Sequence, residues 1–155
     1  MTFDAAAERQ AAFVRRLAAV RREYPVLRRS IFLTGQYNAE LDVKDVTWID
    51  TSGVEMREET WKNETTRCFG MMIDGRAPPT GMRQKGSDAT VLIVFNAHYD
   101  VVAFTLPECA GGSFWSLLLD TSREPTDSNP MFETGDVYEM TAHSLSLFVL
   151  ASAAA

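Results

Sequence analysis

The sequence predicts a mainly β protein, in which one N-terminal α-helix precedes an antiparallel β-sandwich of about seven strands with Greek-key connections. Residues 4–23 carry apolar side chains at helical spacing, and no second clear helix follows them. Seven short apolar or alternating segments come next, separated by glycine, proline and polar turn residues. The length of 155 residues suits one domain, with room for an appended segment.

The N-terminal helix has recognisable ends and an apolar stripe. Asp4 can cap its first turn, and Pro25 ends it because a proline disfavours helical geometry at the residue before it. Phe13, Leu17 and Val20 stand at positions i, i+4 and i+7, which places them on one side of the helix. Exposing large apolar side chains costs about 1.5–3 kcal/mol each. We therefore expect the stripe to dock on the sandwich or on a second copy of the chain.

The strands are predicted where apolar or alternating residues stand between turn signals. They cover residues 46–49, 67–73, 90–95, 102–106, 114–119, 137–140 and 145–150. The near-continuous apolar run at 90–95 indicates a strand that is covered on both faces. Residues 55–64 are polar and predicted to be irregular, whereas residues 77–88 and 122–130 are predicted to be surface loops.

The charge is unevenly distributed and argues against nucleic acid as a partner. The net charge is −6, yet residues 1–30 hold seven arginines against three acidic residues. Phosphate binding needs clustered lysines and arginines, and the remainder of the chain is strongly acidic. Because the arginines are mixed with the apolar stripe, we interpret them as the polar face of a packed helix. A nucleic-acid or membrane arm is the alternative.

The sequence carries no recognisable signal for export or membrane insertion. No apolar run reaches the length of a transmembrane helix, and the N-terminus lacks the basic-then-apolar order of a secretory signal. Cys68 and Cys109 lack metal-binding spacing and are expected to be free thiols, with a disulfide between them as the alternative. We therefore expect a cytoplasmic protein without a membrane partner.

No motif for catalysis, metal binding or cofactor binding is recognisable. A zinc site needs three or four converging ligands, and the two histidines, His98 and His143, are far from each other and from the cysteines in the sequence. The chain has no Gly-x-Ser-x-Gly elbow and no glycine-rich phosphate loop. We therefore predict no catalytic, metal-binding or cofactor-binding residue. Both histidines are interpreted as polar residues of turns or strand edges, and the acidic residues as loop residues that keep the protein soluble.

The tryptophans are the side chains most suggestive of a ligand, because aromatic faces stack on the apolar faces of sugar rings. Trp61 lies in a polar stretch, and Trp48 lies on a short strand before a turn, so both are candidates for carbohydrate contact. Packing against other parts of the protein is the alternative interpretation for both. Trp115 lies within an apolar strand and is predicted to belong to the core.

Several short segments resemble a known family when they are taken in order. Residues 15–28 (RRLAAVRREYPVLR) resemble the last barrel helix of α-amylase-superfamily enzymes and the exit from it. Residues 44–49 (KDVTWI), followed by residues 52–56 (SGVEM) and Trp61, resemble a segment of bacterial glycogen debranching enzymes of the isoamylase type. The chain also resembles later segments of the same family, at residues 68–75 (CFGMMIDG), 92–98 (LIVFNAH) and 115–121 (WSLLLDT). Tyr99 departs from the family pattern, because members of the family commonly have a second histidine at this position, after the one that matches His98.

The resemblance implies a division of the chain and places the chemistry elsewhere. In this family a (β/α)₈ barrel hydrolyses α-1,6 branch links by the retaining route, with one carboxylate as nucleophile and another as acid. We expect those carboxylates upstream of this sequence, so no catalytic residue is assigned here. The resemblance divides the chain into a barrel-type helix at residues 1–27, a wrapping linker with a short strand at 28–66, and the C-terminal β-sandwich at 67–155.

The expected function is that of a C-terminal accessory domain of a glycogen debranching enzyme, without activity of its own. A stand-alone carbohydrate-binding module and a protein-interaction domain are the alternatives. The expected partner is the catalytic barrel of the same enzyme type, with glycogen or a maltooligosaccharide as candidate ligand. A homo-oligomer formed through the N-terminal helix is a further candidate assembly.

Overall fold

A computed structural model describes residues 4–30, 32–39, 42–77, 89–123 and 128–152. Its helices are α1 (Ala5–Glu23), a 3₁₀ turn (Pro25–Arg28) and α2 (Glu58–Lys62). The described residues form ten strands, which are β1 (Tyr37–Asn38), β2 (Val43–Lys44), β3 (Val46–Ile49), β4 (Cys68–Ile73), β5 (Val91–Asn96), β6 (Val102–Thr105), β7 (Phe114–Asp120), β8 (Met131–Glu133), β9 (Val137–Met140) and β10 (Ser144–Ala151).

Six of the strands form one antiparallel main sheet in the order β3-β4-β5-β10-β7-β8. The last strand is central: Leu147 of β10 stands opposite Ile93 of β5 on one side and Leu119 of β7 on the other. Its return beside β7, after β8 and β9, is a Greek-key connection. Strands β6 and β9 form a separate two-stranded sheet, and so do β1 and β2. The predicted antiparallel sandwich with an N-terminal helix is confirmed.

The inner face of the main sheet packs against the β6-β9 sheet and forms the larger core. Phe104 of β6, Trp115 of β7 and Phe148 of β10 are fully buried there. The indole N–H of Trp115 donates a hydrogen bond of 2.9 Å to the carbonyl of Pro107, which satisfies its polar atom inside the core. The prediction that Trp115 belongs to the core is therefore confirmed.

The outer face of the main sheet carries α1. Val20 and Phe13 of the helix pack with the outward residues of the central strands, among them Val91 and Val149. The guanidinium of Arg16 fixes the helix further by donating to the carbonyl of Leu118 at 2.8 and 3.2 Å. The expected docking of the helix stripe on the sandwich is confirmed for Phe13 and Val20.

Part of the helix surface stays apolar and accessible. Leu17, the middle residue of the predicted stripe, is 38% exposed, and Val14 is 52% exposed. The predicted cap is confirmed, since the Asp4 carboxylate accepts from the amide of Ala7 at 2.8 Å, and the helix ends at Glu23 as predicted.

The seven predicted strands all occur, with ends shifted by at most one residue. Three short strands were not predicted, because β1, β2 and β8 have two or three residues each and show no usable alternation. The strand predicted within residues 28–66 is β3, which forms one edge of the main sheet. Most of the predicted loop at 77–88, and residues 124–127 of the loop at 122–130, lie outside the described residues.

The prediction that residues 55–64 are irregular is wrong in part, because α2 occupies Glu58–Lys62. Two acidic residues begin this helix and a lysine ends it, an arrangement that complements the helix dipole. Lys62 also forms an i,i+4 ion pair of 2.5 Å with Glu58. These local charges explain a turn of helix that shows no apolar periodicity in the sequence.

Buried aspartates stabilise two of the turns, which corrects the expectation that acidic residues serve solubility alone. Asp45 accepts hydrogen bonds from the amides of Thr34 and Gly35 at 2.8 and 2.7 Å, and thereby ties the segment before β1 to the sheet. Asp120 accepts from the Tyr138 hydroxyl at 2.5 Å and from the amide and hydroxyl of Ser122 at 2.8 and 2.6 Å.

The environment of Asp120 links the stability of the protein to pH. Burial raises the pKa of this carboxyl group, but the hydrogen bonds from Ser122 and Tyr138 and the charge of Arg123 outweigh burial and lower its pKa. Burial and the hydrogen bond to Asp120 raise the pKa of Tyr138 to about 12. The pKa of Asp120 is lower in the folded protein than in the unfolded chain. Ionised Asp120 therefore stabilises the fold fully when the pH is above the unfolded pKa, and this stabilisation is lost as the pH falls through the folded pKa.

Asp120→Asn is expected to destabilise the protein by about 1–3 kcal/mol at pH 7, because the donors around the carboxylate lose a charged acceptor. The stability difference from the wild type should shrink as pH falls from about 5 towards 2, where the wild-type carboxylate becomes protonated. Urea unfolding at pH 7 and pH 3 measures both effects. Asp4→Asn serves as control, since asparagine caps a helix about as well as aspartate. A difference from the wild type that is the same at both pH values would contradict this prediction.

Arg16→Ala is expected to loosen α1 from the sheet, because it removes the charge-assisted hydrogen bonds to Leu118. Hydrogen–deuterium exchange of the α1 amides should become about 5- to 30-fold faster, which corresponds to a loss of about 1–2 kcal/mol. Arg15→Ala removes an exposed arginine from the neighbouring position and should leave the exchange unchanged. Equal exchange rates in the two variants would show that Arg16 does not hold the helix.

Candidate functional site

Four aromatic side chains form a row across one end of the main sheet, which we call the aromatic row. It runs from Trp61 of α2 through Trp48 of β3 and Phe69 of β4 to Phe95 of β5. Successive ring centroids are 5.6, 5.9 and 5.4 Å apart, and the rings of Trp48 and Trp61 meet edge to face at 78°. Contacts of this geometry stabilise by about 0.5–1.5 kcal/mol each beyond area burial.

The aromatic row lies on the same face of the sheet as α1. Trp48 stands opposite Met71, and Phe69 stands opposite Phe95, so their side chains point to the same side. Met71 packs with the residues beneath α1, which identifies this side as the outer face. Trp48, Phe69 and Phe95 are only partly buried, and Trp61 is 53% exposed. One end of the outer face therefore presents aromatic surface that α1 does not cover.

Chain reversal after β3 brings Trp61 to Trp48. The amide of Met56 donates to the carbonyl of Trp48 at 2.8 Å, which folds the chain back along the edge of the sheet. Gly53 makes the tight turn possible, since it has φ +83° and a Cβ atom there would lie 2.9 Å from the carbonyl oxygen of Thr105. The two tryptophans predicted as carbohydrate contacts are thus neighbours, although thirteen positions separate them in the sequence.

A polar cleft of about 310 Å³ opens at the same end of the sheet, beside α2. Three turns meet around it: the turn after β3, the turn between α2 and β4, and the loop after β5. We define the polar cleft by its hydrogen-bonding side chains, which include Asp50, Ser52, Asn63, Thr65, Arg67 and His98. Thr60 of α2 also lines the cleft, so that neighbouring residues of one short helix contribute to the cleft and to the aromatic row.

Internal hydrogen bonds hold the polar side chains of the cleft. The Oδ1 atom of Asp50 accepts from the amide and hydroxyl of Ser52 at 2.8 and 2.6 Å. Asn63 accepts in the same way from the amide and hydroxyl of Thr65 at 3.0 and 2.7 Å. Such turns, in which an Asx side chain accepts from the residue two positions later, fix the side chain without a partner from elsewhere in the fold.

Charged and aromatic groups complete the surroundings of the cleft. Arg67 donates from Nη1 to the carbonyl of Glu64 at 2.5 Å, and Nδ1 of His98 accepts from the amide of Asp100 at 3.1 Å. The ring of Tyr99 stacks on His98 with centroids 4.3 Å apart and is 80% exposed. Asp50 and Arg67 carry opposite charges, so the cleft has no strong excess of either sign.

The sequence identified the tryptophans of this region but not the cleft. His98 lies in a turn, as predicted, and His143 also lies in a turn, with φ 49°. Asp50, Asn63 and Arg67 were not singled out, because polar residues in turns are common and nothing local shows that three separate turns converge. The only usable signal is the Asx-x-Ser/Thr spacing of Asp50 and Asn63, which predicts the turns but not their meeting.

The described part of the chain shows neither a metal-binding cluster nor a membrane-spanning helix. Across residues 4–30, 32–39, 42–77, 89–123 and 128–152, no group of three or more His, Cys, Asp or Glu side chains could hold a metal ion. No helix in the part of the chain that the structure describes is long and apolar enough to cross a membrane. Cys68 and Cys109 are free thiols, as predicted, and burial raises the pKa of Cys68 to about 11, which keeps it unreactive at neutral pH.

Comparisons with known proteins show which sequences this chain is similar to. The sequence model of the family described as "Isoamylase, C-terminal" matches residues 45–150. Two proteins named "Glycogen operon protein GlgX homolog", from Mycobacterium bovis and Mycobacterium tuberculosis, are each 30% identical over 137 residues, which is 86% of this chain and 19% of the relative. An "Isoamylase" of Pseudomonas amyloderamosa is 27% identical over 109 residues, which is 70% of this chain and 12% of that protein. The chain thus spans about a fifth or less of the length of these relatives.

Proposed function

Because this chain belongs to the isoamylase C-terminal family, we propose that it is the accessory, structural domain of a glycogen debranching enzyme that hydrolyses α-1,6 branch links. The observation that carries the proposal is the match over residues 45–150, which contains the main sheet except for Ala151 at the end of β10. In this proposal the catalytic carboxylates belong to the barrel, and the sandwich stabilises the barrel. The stand-alone binding module and the protein-interaction domain are less favoured, since the relatives are much longer enzymes or enzyme homologues.

The exposed side of α1 is the surface that we propose for contact with the barrel. The helix is already fixed to the sheet through Val20 and Arg16, while Leu17 and Val14 remain 38% and 52% exposed. The resemblance of residues 15–28 to the last helix of a catalytic barrel supports a position between barrel and sandwich. Covering these side chains would contribute up to about 1.5–3 kcal/mol each. A second copy of this chain is the competing occupant.

Replacing the matching C-terminal segment of the Mycobacterium tuberculosis relative by this chain tests the structural role. Deleting the segment is expected to reduce the thermal stability of the relative and its release of reducing ends from glycogen. The replacement should restore both, because the sandwich would again cover the barrel. A replacement that behaves like the deletion would contradict the proposed role.

Two substitutions in α1, each made in the relative that carries this chain as its replaced segment, show whether α1 contacts the barrel. Leu17→Ser should lower the stability by about 1–3 kcal/mol, since an apolar contact with the barrel is lost. Ala11→Ser, at an exposed position of the same helix, is the matched control and should have little effect. Size-exclusion chromatography of the 155-residue chain shows whether a second copy of the chain covers the exposed side of α1 instead of the barrel. A dimer that Leu17→Ser dissociates would favour the second copy over the barrel.

We also propose that Trp61, supported by Trp48, contacts glycogen or a maltooligosaccharide. Trp61 exposes half of its surface, and the edge-to-face contact with Trp48 restricts the orientation of its ring. A large ring that is held in one orientation loses little conformational freedom when a sugar stacks on it. Glycogen as ligand agrees with a cytoplasmic location, which we propose together with it, and free thiols at Cys68 and Cys109 suit a reducing compartment.

Titration of the chain with glycogen and a branched maltooligosaccharide, followed by tryptophan fluorescence, tests the contact. The wild type should show a saturable change that Trp61→Ala weakens at least about fivefold, because stacking on an aromatic ring contributes on the order of 1 kcal/mol. Tyr37→Ala removes an aromatic ring of similar exposure, 58%, and should bind like the wild type. The same samples should release no reducing ends; release by the pure chain would place catalytic chemistry in this sequence and contradict the proposal.

A further inference from the structure

We propose that the polar cleft is a subsite that binds one or two glucosyl units of a neutral α-glucan chain through their hydroxyl groups. This inference rests on the glucan contact proposed for Trp61 and extends it from an aromatic surface to a defined site. The cleft volume of about 310 Å³ lies at the lower end of the range of about 300–1,000 Å³ that is usual for small-molecule sites. That size suits a short part of a chain rather than a branched particle.

The side chains of the cleft match a ligand that both donates and accepts hydrogen bonds. Asp50 is an acceptor, Arg67 is a donor, and the hydroxyls of Ser52 and Thr65 can act as either. A sugar ring presents several hydroxyl groups that are each donor and acceptor, so it can use such a mixed set. An apolar ligand would leave these groups unpaired, which costs free energy.

Charge balance disfavours the simpler ionic ligands. The carboxylate of Asp50 would repel a phosphate or carboxylate, and the guanidinium of Arg67 would repel a cation, since both side chains line the same cleft. A neutral polyol avoids both repulsions. Strong hydrogen bonds of about 1.5–3 kcal/mol can form between charged groups and neutral hydroxyls without a net charge on the ligand.

The cleft is preorganised, and its internal bonds leave bonding capacity for a ligand. Among the described residues, these bonds involve Oδ1 of Asp50, Nδ1 of His98 and Nη1 of Arg67. Each of the three side chains has at least one further nitrogen or oxygen atom that can bond to a ligand. Side chains that are held before binding lose less conformational entropy when the ligand arrives.

In two of the segments that form the cleft, an aromatic residue directly follows a lining residue in the sequence. Thr60 lines the cleft and the following residue, Trp61, presents its ring on the aromatic row. His98 lines the cleft and the following residue, Tyr99, presents a ring that is stacked and 80% exposed. Neither ring lines the cleft itself, so stacking on either ring would need a glucan chain that extends beyond the cleft.

Isothermal titration of the 155-residue chain with maltoheptaose tests the subsite. Arg67→Gln and Asp50→Asn should each weaken binding by about 3- to 10-fold, the loss expected for one or two hydrogen bonds. Asparagine at position 50 can keep the turn to Ser52, so this variant changes charge while preserving local structure. Arg9→Gln, on the exposed side of α1, is the matched control and should bind like the wild type. Circular dichroism confirms that every variant is folded.

Each remaining outcome overturns the inference in a recognisable way. If Trp61→Ala weakens binding while both cleft variants bind like the wild type, the glucan contact stands and the subsite does not. If the wild type binds inorganic phosphate in place of maltoheptaose, the cleft is an anion site. If the wild type binds no glucan, the subsite and the Trp61 contact both fail, while the replacement of the segment in the longer relative still measures the structural role separately.

Discussion

The two central strands of the main sheet are apolar on both faces, and every other part of the fold serves to cover them. Val91 and Leu92 of β5 are both fully buried although they point to opposite sides, and Phe148 and Val149 of β10 repeat this arrangement. A sheet of this kind is unstable in water unless both faces are covered. The β6-β9 sheet covers the inner face, and α1 covers part of the outer face. The position of the helix is thus a requirement of the sheet rather than an addition to it.

Coverage by α1 is incomplete, and the remaining outer surface is where the candidate site lies. The apolar cluster that holds Val20 extends along the central strands from Val91 to Leu145, which stands opposite Phe95 of the aromatic row. The aromatic row therefore adjoins the cluster beneath the helix, and Trp61 is its most exposed member. Because α2 folds back over the edge strand, Trp61 shields Trp48 only in part. An aromatic surface that is held in place but not buried is the physical basis for proposing a ligand there.

The longer elements could be predicted from the sequence, because each is specified by a local pattern. The alternation of apolar and polar residues in β9 and the apolar run in β5 predict the ends of these strands to within one residue. Asp4 marks the start of α1. The unpredicted elements are short: α2 is a five-residue helix with an exposed ion pair between Glu58 and Lys62, and β8 pairs with β7 over three residues. The polar cleft could not be predicted, since its residues come from three turns that are adjacent only after the main sheet has formed. Trp48 and Trp61 could be chosen as candidates from their residue type and the character of the sequence around them. That they contact each other could not be predicted, because the contact depends on the chain reversal at Gly53.

The proposed barrel contact and the proposed glucan subsite can operate together because the sheet separates them. Strand β4 begins at Cys68, which lines the polar cleft, and ends at Ile73, which packs in the cluster beneath α1. Cys68 and Ile73 are five residues of extended strand apart, or about 17 Å, and Met71 of the same cluster is three residues from Cys68, or about 10 Å. A barrel that contacts Leu17 from the far side of the helix therefore need not obstruct the cleft. In this proposal the domain binds a glucan chain in the cleft and contacts the barrel through α1, and it contributes no catalytic group.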